Sequence, residues 1–424
     1  MEKNIYLYYN IWVCLFIIRY LCAFDTEIVN MKKIRVLTLL ALSLCLFGCT
    51  GNADSTNNNQ SQVIEVVDAT APVEKEVIDL DGFDSVIVEN PSEDTEAEVA
   101  EEESHEGMYR SELTNMWIDE SLRDQRPIAV MVDNDSRALP HYGINDADII
   151  YEIMNSTENN RVTRLMVIMK DWKSIKQFGS VRSVRPTNFM LAAEYNAIII
   201  HDGGPFYINE YIAKDYVNNL SGGFARFSNG KATEFTEYVT YDDYYNPQKD
   251  QVYPGLQNRL DASGYSQTYN SYYPGNHFTF YNEDTDLSGS GVVAASKVEI
   301  PFPNNKSKLF YNEESKTYDY YEHGDYHVDA GKNNEVTTFK NAIVYSCPFT
   351  QLDEHGYLVY NVINSGDGWY FTNGQAIPIT WSKSGETNLT IFKDKNTGEE
   401  IVLNTGKTYI AVVPSDAWSQ LVIQ

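Results

Sequence analysis

An α/β N-terminal domain on a mostly parallel sheet with flanking helices, followed by a mainly antiparallel β-rich C-terminal domain, is the architecture the sequence predicts. Three observations point to it. The runs PIAVMVD (127–133), RLMVIM (164–169) and NAIIIHD (196–202) are short, rich in β-branched residues and nearly continuously apolar. That is the composition of central strands buried on both faces. Pro186 to Tyr195 (PTNFMLAAEY) separates the last two runs and places a proline at a first helical position, with good helix formers after it. Beyond His277, eight short apolar segments recur at near-regular spacing with turn signals such as Asn373-Gly374 and Asn396-Thr397-Gly398.

The elements follow in order. Residues 1–30 contain an apolar stretch from Ile5 to Phe24, broken by Asn10 and Arg19, and read as a misplaced translation start or an extra apolar segment. Residues 31–48 form a signal peptide: Lys32, Lys33 and Arg35, then an apolar run to Phe47, then Gly48. Cys49 follows the small residue, as in a bacterial lipobox, and is the expected lipidation site. Residues 49–114 are expected to be an acidic disordered tether. Between 51 and 109 there are 17 Asp+Glu against Lys75 alone, more than half of the chain's net charge of −28. Such a segment buries too little apolar surface to offset its chain entropy. The α/β domain is expected at 115–220 and a connecting region at 221–275, rich in Gly, Asn, Tyr, Asp and Pro. The β-rich domain follows at 276–424, with strands in KVEIPF, KTYDYYE, NAIVYS, YLVYNVI, GWYFTN, AIPITWS, LTIFKD and TYIAVVP.

Composition excludes several classes. With 43% hydrophobic and 13% aromatic residues over 424 positions, the chain is not mainly disordered, a coiled coil or a polytopic membrane protein. An excess of 60 Asp+Glu over 32 Lys+Arg argues against nucleic acid as a partner. Four of five cysteines lie at or before the expected lipidation site, so Cys347 is expected to be a buried free thiol.

The segment FGSVRSVRPTNFMLAAEYNAIIIHDGGP (178–205) is the most loaded with chemistry. Arg182 and Arg185 precede the expected helix start, where free backbone N–H groups and the positive dipole end disfavour cations. Something negative must sit with them: a carboxylate of this chain such as Asp133, Asp202 or Glu152, or an anionic ligand. Asp133 and Asn134 end one strand and His201, Asp202, Gly203 and Gly204 end another, so both are expected to open onto one crevice at the carboxyl edge of the sheet. Strand-end Asp and Gly-Gly are equally ordinary turn chemistry.

The ordered blocks RPIAVMVDN, NDADIIYE, VTRLMVIM, GSVRSVRP and IIIHDGGP resemble the YerB-like lipoproteins, a family of paired domains of unknown function. NSGDGWYFTNGQAIPITW and GKTYIAVVP continue the resemblance, which covers roughly 115–424. It implies a lipid-anchored protein on the extracytoplasmic face of a Gram-positive cell membrane, with no assigned reaction. The chain departs from the family over 224–245, where it reads FARFSNGKATEFTEYVTYDDYY in place of a basic, His-Asn-containing stretch. The order of the DNDSR, Ala-Asp-Ile-Ile and SVRSVRP blocks is also similar to the LytR-CpsA-Psr phosphotransferases. That likeness implies a divalent cation and polyprenyl-phosphate-linked wall intermediates, with Asp133, Arg137, Asp148, Arg182 and Arg185 as candidates; Asp133, Arg137 and Asp148 would be catalytic.

Other signals are weaker. His323, Asp325, His327 and Asp329 alternate and would share one strand face as metal ligands, but Gly324-Asp325 also reads as a hairpin turn. SGDG (365–368) reads as a tight turn. Tyr241, Tyr244, Tyr245, Tyr272 and Tyr273 suit sugar stacking, core or interface alike. GxSxG, HExxH, a Walker loop and paired-Cys zinc spacing do not occur. The reading is therefore a cell-envelope lipoprotein that binds a wall-synthesis partner or an anionic wall or lipid ligand, with no cofactor, and binding favoured over catalysis.

Overall fold

The computed structural model describes residues 105–424. The apolar segment at 1–30, the signal, Cys49 and most of the acidic tether lie outside the described residues. The last ten residues assigned to the tether belong to the fold. Met108–Arg110 pairs antiparallel with Trp117–Asp119, Tyr109 and Leu113 are buried, and Glu112 forms a buried ion pair with Lys170 at 2.5 Å. The acidic block ends at Glu106, and the apolar side chains after it have a core to enter.

The strands that shape the site are β1 (Ile128–Asp133), β2 (Ile149–Met154), β3 (Thr163–Met169), β4 (Ile198–His201) and β5 (Asn219–Ser221), with helix α1 (Pro186–Ala193) between β3 and β4. Helix α2 (Leu256–Ser263) follows. Then come β6 (Val293–Ala294), β7 (Lys297–Glu299), β8 (Lys308–Asn312), β9 (Thr317–Glu322), β10 (Asp325–Tyr326), β11 (Asn341–Cys347), β12 (Phe349–Gln351), β13 (Leu358–Tyr360), β14 (Ser365–Thr372), β15 (Gln375–Ser382), β16 (Ile391–Asp394), β17 (Thr408–Pro414) and β18 (Val422–Ile423).

One eleven-stranded sheet runs β6-β15-β14-β11-β17-β2-β3-β1-β4-β5, with β16 added beside β15. It is mixed, which corrects the expectation of a mostly parallel sheet flanked by helices. β1 and β4, β4 and β5, β2 and β17, and β11 and β17 are parallel. β2 and β3 are joined by a loop at 155–162 too short for a crossover, so they pair antiparallel, as do β3 and β1. Burial on both faces gives the same apolar run in either direction, so the sequence specifies the strand and not its sense. The sheet passes from the N-terminal into the C-terminal half of the chain through the β2–β17 pair.

Alternation along the central strands feeds two cores. Ala129, Met131, Met166 and Ile168 face Phe189 and Leu191 of α1. Val130, Val132, Leu165 and Val167 face Leu256 and Leu260 of α2, and Leu309, Tyr318 and Tyr320 of a second, antiparallel sheet ordered β10-β9-β8-β7-β18. Burying each such side chain contributes roughly 1.5–3 kcal/mol.

Helix α1 is buried throughout. Pro186 occupies its first turn, and the Asn188 side chain accepts the Arg185 backbone N–H at 2.8 Å. The β12–β13 hairpin lies against it, with the Tyr360 N–H donating to Thr187 Oγ1 at 2.8 Å. All eight expected C-terminal strand segments contain strands. Asn373 and Gly374, with φ of 51° and 70°, form the tight β14–β15 turn. SGDG is not a turn: it opens β14, pairing Ser365 with Ser382 and Gly366 with Trp381. A Cβ on Gly366 would stand 2.7 Å from Trp381 Nε1, so glycine there makes room for the indole. Cys347 is a buried free thiol.

Candidate functional site

Because β1 and β4 are parallel neighbours, their carboxyl ends share one edge of the sheet. The segment 180–184 runs between them. Asp133 N–H donates to Ser180 O (2.9 Å), Arg182 N–H to Met131 O (2.9 Å), Asp202 N–H to Arg182 O (3.0 Å) and Val184 N–H to Gly203 O (3.2 Å). Gly203 takes φ 70°, and a Cβ on Gly204 would lie 2.5 Å from Ile208 Cδ1 and 3.1 Å from Val184 O. The second glycine thus lets the loop close onto the residue before Arg185.

The two arginines have different environments. Arg182 is neutralised within the chain: its Nε is 2.6 Å from Asp133 Oδ2 and its Nη2 3.0 Å from Glu234 Oε2. Arg185, only 9% exposed, has no carboxylate at ion-pair distance among the described residues. Its Nε donates to Asn155 O (3.1 Å), its Nη1 to Val184 O (3.0 Å), and its guanidinium lies 4.9 Å over the Tyr357 ring. None of these supplies a full negative charge. Burial, reinforced by Arg164, pushes this guanidinium down to about 9, still charged at neutral pH.

Arg164 is the member the sequence reading missed. It projects from β3, donates to Ser183 O (2.9 Å), stands 3.9 Å from Asp133 and leaves its buried Nε without a partner. Burial pushes it down to about 10. The signal was present as a single charge inside VTRLMVIM, a run that otherwise reads as core. Arg182 and Arg164 thus share Asp133, Glu234 serves only Arg182, and Arg185 lies near both arginines without a carboxylate of its own among the described residues.

The glycine-bearing loop is internally compensated. His201 is buried, with Nδ1 2.8 Å from Gly203 O and Nε2 3.1 Å from Asn219 Oδ1, and burial lowers its pKa. Asp202 pairs with Arg226 at 3.0 Å, and Arg226 also reaches Glu237 at 2.6 Å. Arg226, Glu234 and Glu237 come from the stretch FARFSNGKATEFTEYVTYDDYY (224–245). Burial, and then the neighbouring Asp202, push Glu237 up to about 7. A carboxyl raised on folding adds stability that is full below its ordinary value near 4.5 and is lost as pH rises towards 7. Glu237→Gln is therefore expected to flatten the fall in stability over this window, read from urea midpoints of wild type and variant between about pH 4.5 and 7.

Other candidates lie elsewhere. Asn134 is buried away from the arginines, donating to Thr163 Oγ1 at 2.9 Å and accepting from Asn305 Nδ2 at 2.7 Å through its carbonyl. Arg137 is exposed and paired with Asp135. Asp148 precedes β2, and Asn155 follows its opposite end, so a whole strand, roughly 23 Å, separates it from the arginine edge. It accepts from Lys170 N–H at 2.6 Å, and burial raises it to about 7. Of the residues suggested by the phosphotransferase likeness, Asp133 and Arg182 pair, Arg137 and Arg182 lie 5.2 and 5.8 Å over the same Phe235 ring, and Asp148 stands apart. His323, Asp325, His327 and Asp329 do not converge. Asp325 is exposed, His327 meets His141 at 2.8 Å, and Asp329 accepts backbone N–H groups of Gly143, Asn145 and Gly331. Among the described residues no group of three or more His, Cys, Asp or Glu is arranged to hold a metal. Of the tyrosines, Tyr245 and Tyr272 are exposed, while Tyr273 stacks on Tyr269 at 3.9 Å.

Comparison with known proteins adds the following. Residues 113–257 match a family model described as the N-terminal domain of a protein of unknown function (DUF3048), and residues 298–410 match the model of its C-terminal domain. The Bacillus subtilis (strain 168) protein described as "Putative lipoprotein YerB" is 24% identical over 314 residues, covering 72% of this chain and 86% of its own. A crystal structure of YerB protein from Bacillus subtilis is similar in fold, with a TM-score of 0.60 at 19% identity over 74% of this chain and 99% of that one.

Proposed function

The chain belongs to the DUF3048 family, and from that premise we propose that it is a lipid-anchored protein of the cell envelope. It is held on the extracytoplasmic face of the membrane through Cys49, and it binds an anionic wall or lipid-precursor ligand, or an acidic group of a wall-synthesis partner, at the crevice around Arg185. The description of the B. subtilis relative as a lipoprotein supports the address, together with the lipobox-like Leu46-Phe47-Gly48-Cys49. One observation supports the binding role: Arg185 is buried at the start of α1 with carbonyls and an aromatic ring around it and no carboxylate beside it among the described residues. A buried charge without a partner costs several kcal/mol, and a helix start is already electropositive. An anion arriving from outside would relieve both.

The test is a thermal-shift and turnover screen of the full chain against undecaprenyl phosphates and wall fragments, with Arg185→Ala beside it. At least one anionic ligand is expected to raise the melting temperature of the wild type and not of the variant. Equal responses from both proteins would remove Arg185 from the site.

A further inference from the structure

Behind Arg185 the crevice narrows to a cavity of about 10 Å³, bounded by Arg164, Arg185, Asn155, Tyr360, Thr187 and Leu358 among others. That is room for a single water-sized atom. Its walls carry polar groups with nothing to bind. Arg164 Nε, Asn155 Oδ1 and the Tyr360 hydroxyl are buried and without hydrogen-bond partners. The near neighbour of the Tyr360 oxygen is the Met154 backbone N–H, itself a donor, so the phenol proton has no acceptor. Arg164, Asn155 and Tyr360 are 7%, 7% and 0% exposed, so water from the surface does not satisfy them in passing.

The walls are biased in sign. Arg164 and Tyr360 present unused N–H and O–H donors, and Arg185 adds a second positive charge. The carboxylate nearest Arg164 is Asp133 at 3.9 Å, which at the same time serves Arg182 at 2.6 Å. Asn155 supplies the one acceptor, and turning its side-chain amide by half a revolution breaks no hydrogen bond through Oδ1 and brings an N–H₂ donor inward. A neutral water would meet the donors and leave two guanidiniums facing one another. A single anionic atom meets the donors and the charge together.

We infer that this cavity is a built site for one anionic atom of halide size, held between Arg164, Arg185 and Tyr360. The inference rests on the envelope-ligand reading only in sharing Arg185 with it. Two sources offer the same chemistry: a free halide, or one oxygen at the tip of a carboxylate or phosphate on a larger ligand, with which halide would then compete.

Melting of the full-length protein in sodium gluconate, chloride, bromide and acetate at one ionic strength separates these, with Tyr360→Phe measured in parallel. This variant removes a hydroxyl whose proton has no acceptor and whose oxygen neighbours one backbone N–H, and its melting in gluconate shows whether it is folded. Chloride and bromide are expected to raise the melting temperature saturably over gluconate, and Tyr360→Phe to weaken that response at least tenfold. Crystals grown in bromide should show an anomalous peak between Arg164 and Tyr360. A response to acetate and not to halide, weakened likewise in the variant, supports the site with the tip of a larger anion as its occupant. Identical melting in all four salts, or a variant that titrates like the wild type, overturns it. If wall fragments still stabilise wild type and Tyr360→Phe equally and fail with Arg185→Ala, the envelope reading stands and the inner site alone falls.

Discussion

Replacing Glu152 with alanine is expected to cost about 4 kcal/mol or more, a large part of the roughly 5–15 kcal/mol that holds a typical domain together. The carboxylate is fully buried in β2 and gathers hydroxyl groups from across the molecule. Thr163 donates at 2.7 Å, Ser307 at 2.7 Å, Tyr320 at 2.9 Å and Tyr409 at 2.5 Å. Thr163 opens β3, Ser307 is the residue just before β8, and Tyr320 and Tyr409 lie on β9 and β17, so one side chain ties the large sheet to the second sheet. Alanine leaves the Thr163, Ser307 and Tyr409 hydroxyls without an acceptor, each at about 1–3 kcal/mol before relaxation, while Tyr320 keeps Glu322 Oε2 at 3.2 Å. Glu152→Gln keeps one acceptor oxygen, and the phenols can turn to accept from its amide, so a smaller loss is expected. Urea unfolding of the three proteins should rank wild type, Gln, Ala in falling stability. Alanine and glutamine variants within about 1 kcal/mol of each other would mean that the hydroxyls find other partners.

Arg185→Gln is expected to weaken binding of an anionic envelope ligand at least thirtyfold, since a desolvated charge-assisted contact contributes about 2 kcal/mol or more. The ligand-free protein should behave in the opposite way. A structural arginine paired to carboxylates destabilises when removed, because its partners are left charged and buried. Arg185 has carbonyls and the Tyr357 ring instead. Glutamine can still donate to a carbonyl and carries no charge, so it removes an electrostatic burden shared with Arg164 and Arg182. On the proposed reading, binding at this site is set against stability. Isothermal titration of both proteins with a ligand found in the screen measures the first effect. Equal affinities would place the ligand elsewhere.

Much of the fold was legible in the sequence because burial leaves a compositional trace. PIAVMVD, RLMVIM and NAIIIHD are strands because a run with no polar face has to be covered on both sides, and Pro186 marks the helix start because its missing N–H is harmless there. Strand direction left no such trace, and the pairing of β2 with β17, some 260 positions apart, is settled by tertiary packing alone. SGDG carries turn composition yet lies in a strand, because Gly366 is needed under an indole and not at a bend.

The site was legible to a similar depth. The electrostatic argument at α1 located Arg182 and Arg185, and of the carboxylates considered as internal partners, Asp133 meets Arg182. It did not separate the two arginines. Asp202 is taken by Arg226 and Glu152 by hydroxyl groups, and both engagements depend on residues remote in sequence. Arg164, Tyr357 and Tyr360 escaped notice for the same reason: they come from a strand that reads as core and from a hairpin some 170 positions downstream.

The most direct test is the melting temperature of Arg185→Gln against wild type in a buffer whose only anion is too large for the crevice. If the negative partner of Arg185 comes from outside the chain, the variant melts at or above the wild type, and added ligand raises only the wild type. A variant that melts several degrees lower in that buffer, with no ligand present, would show that the chain itself already completes Arg185.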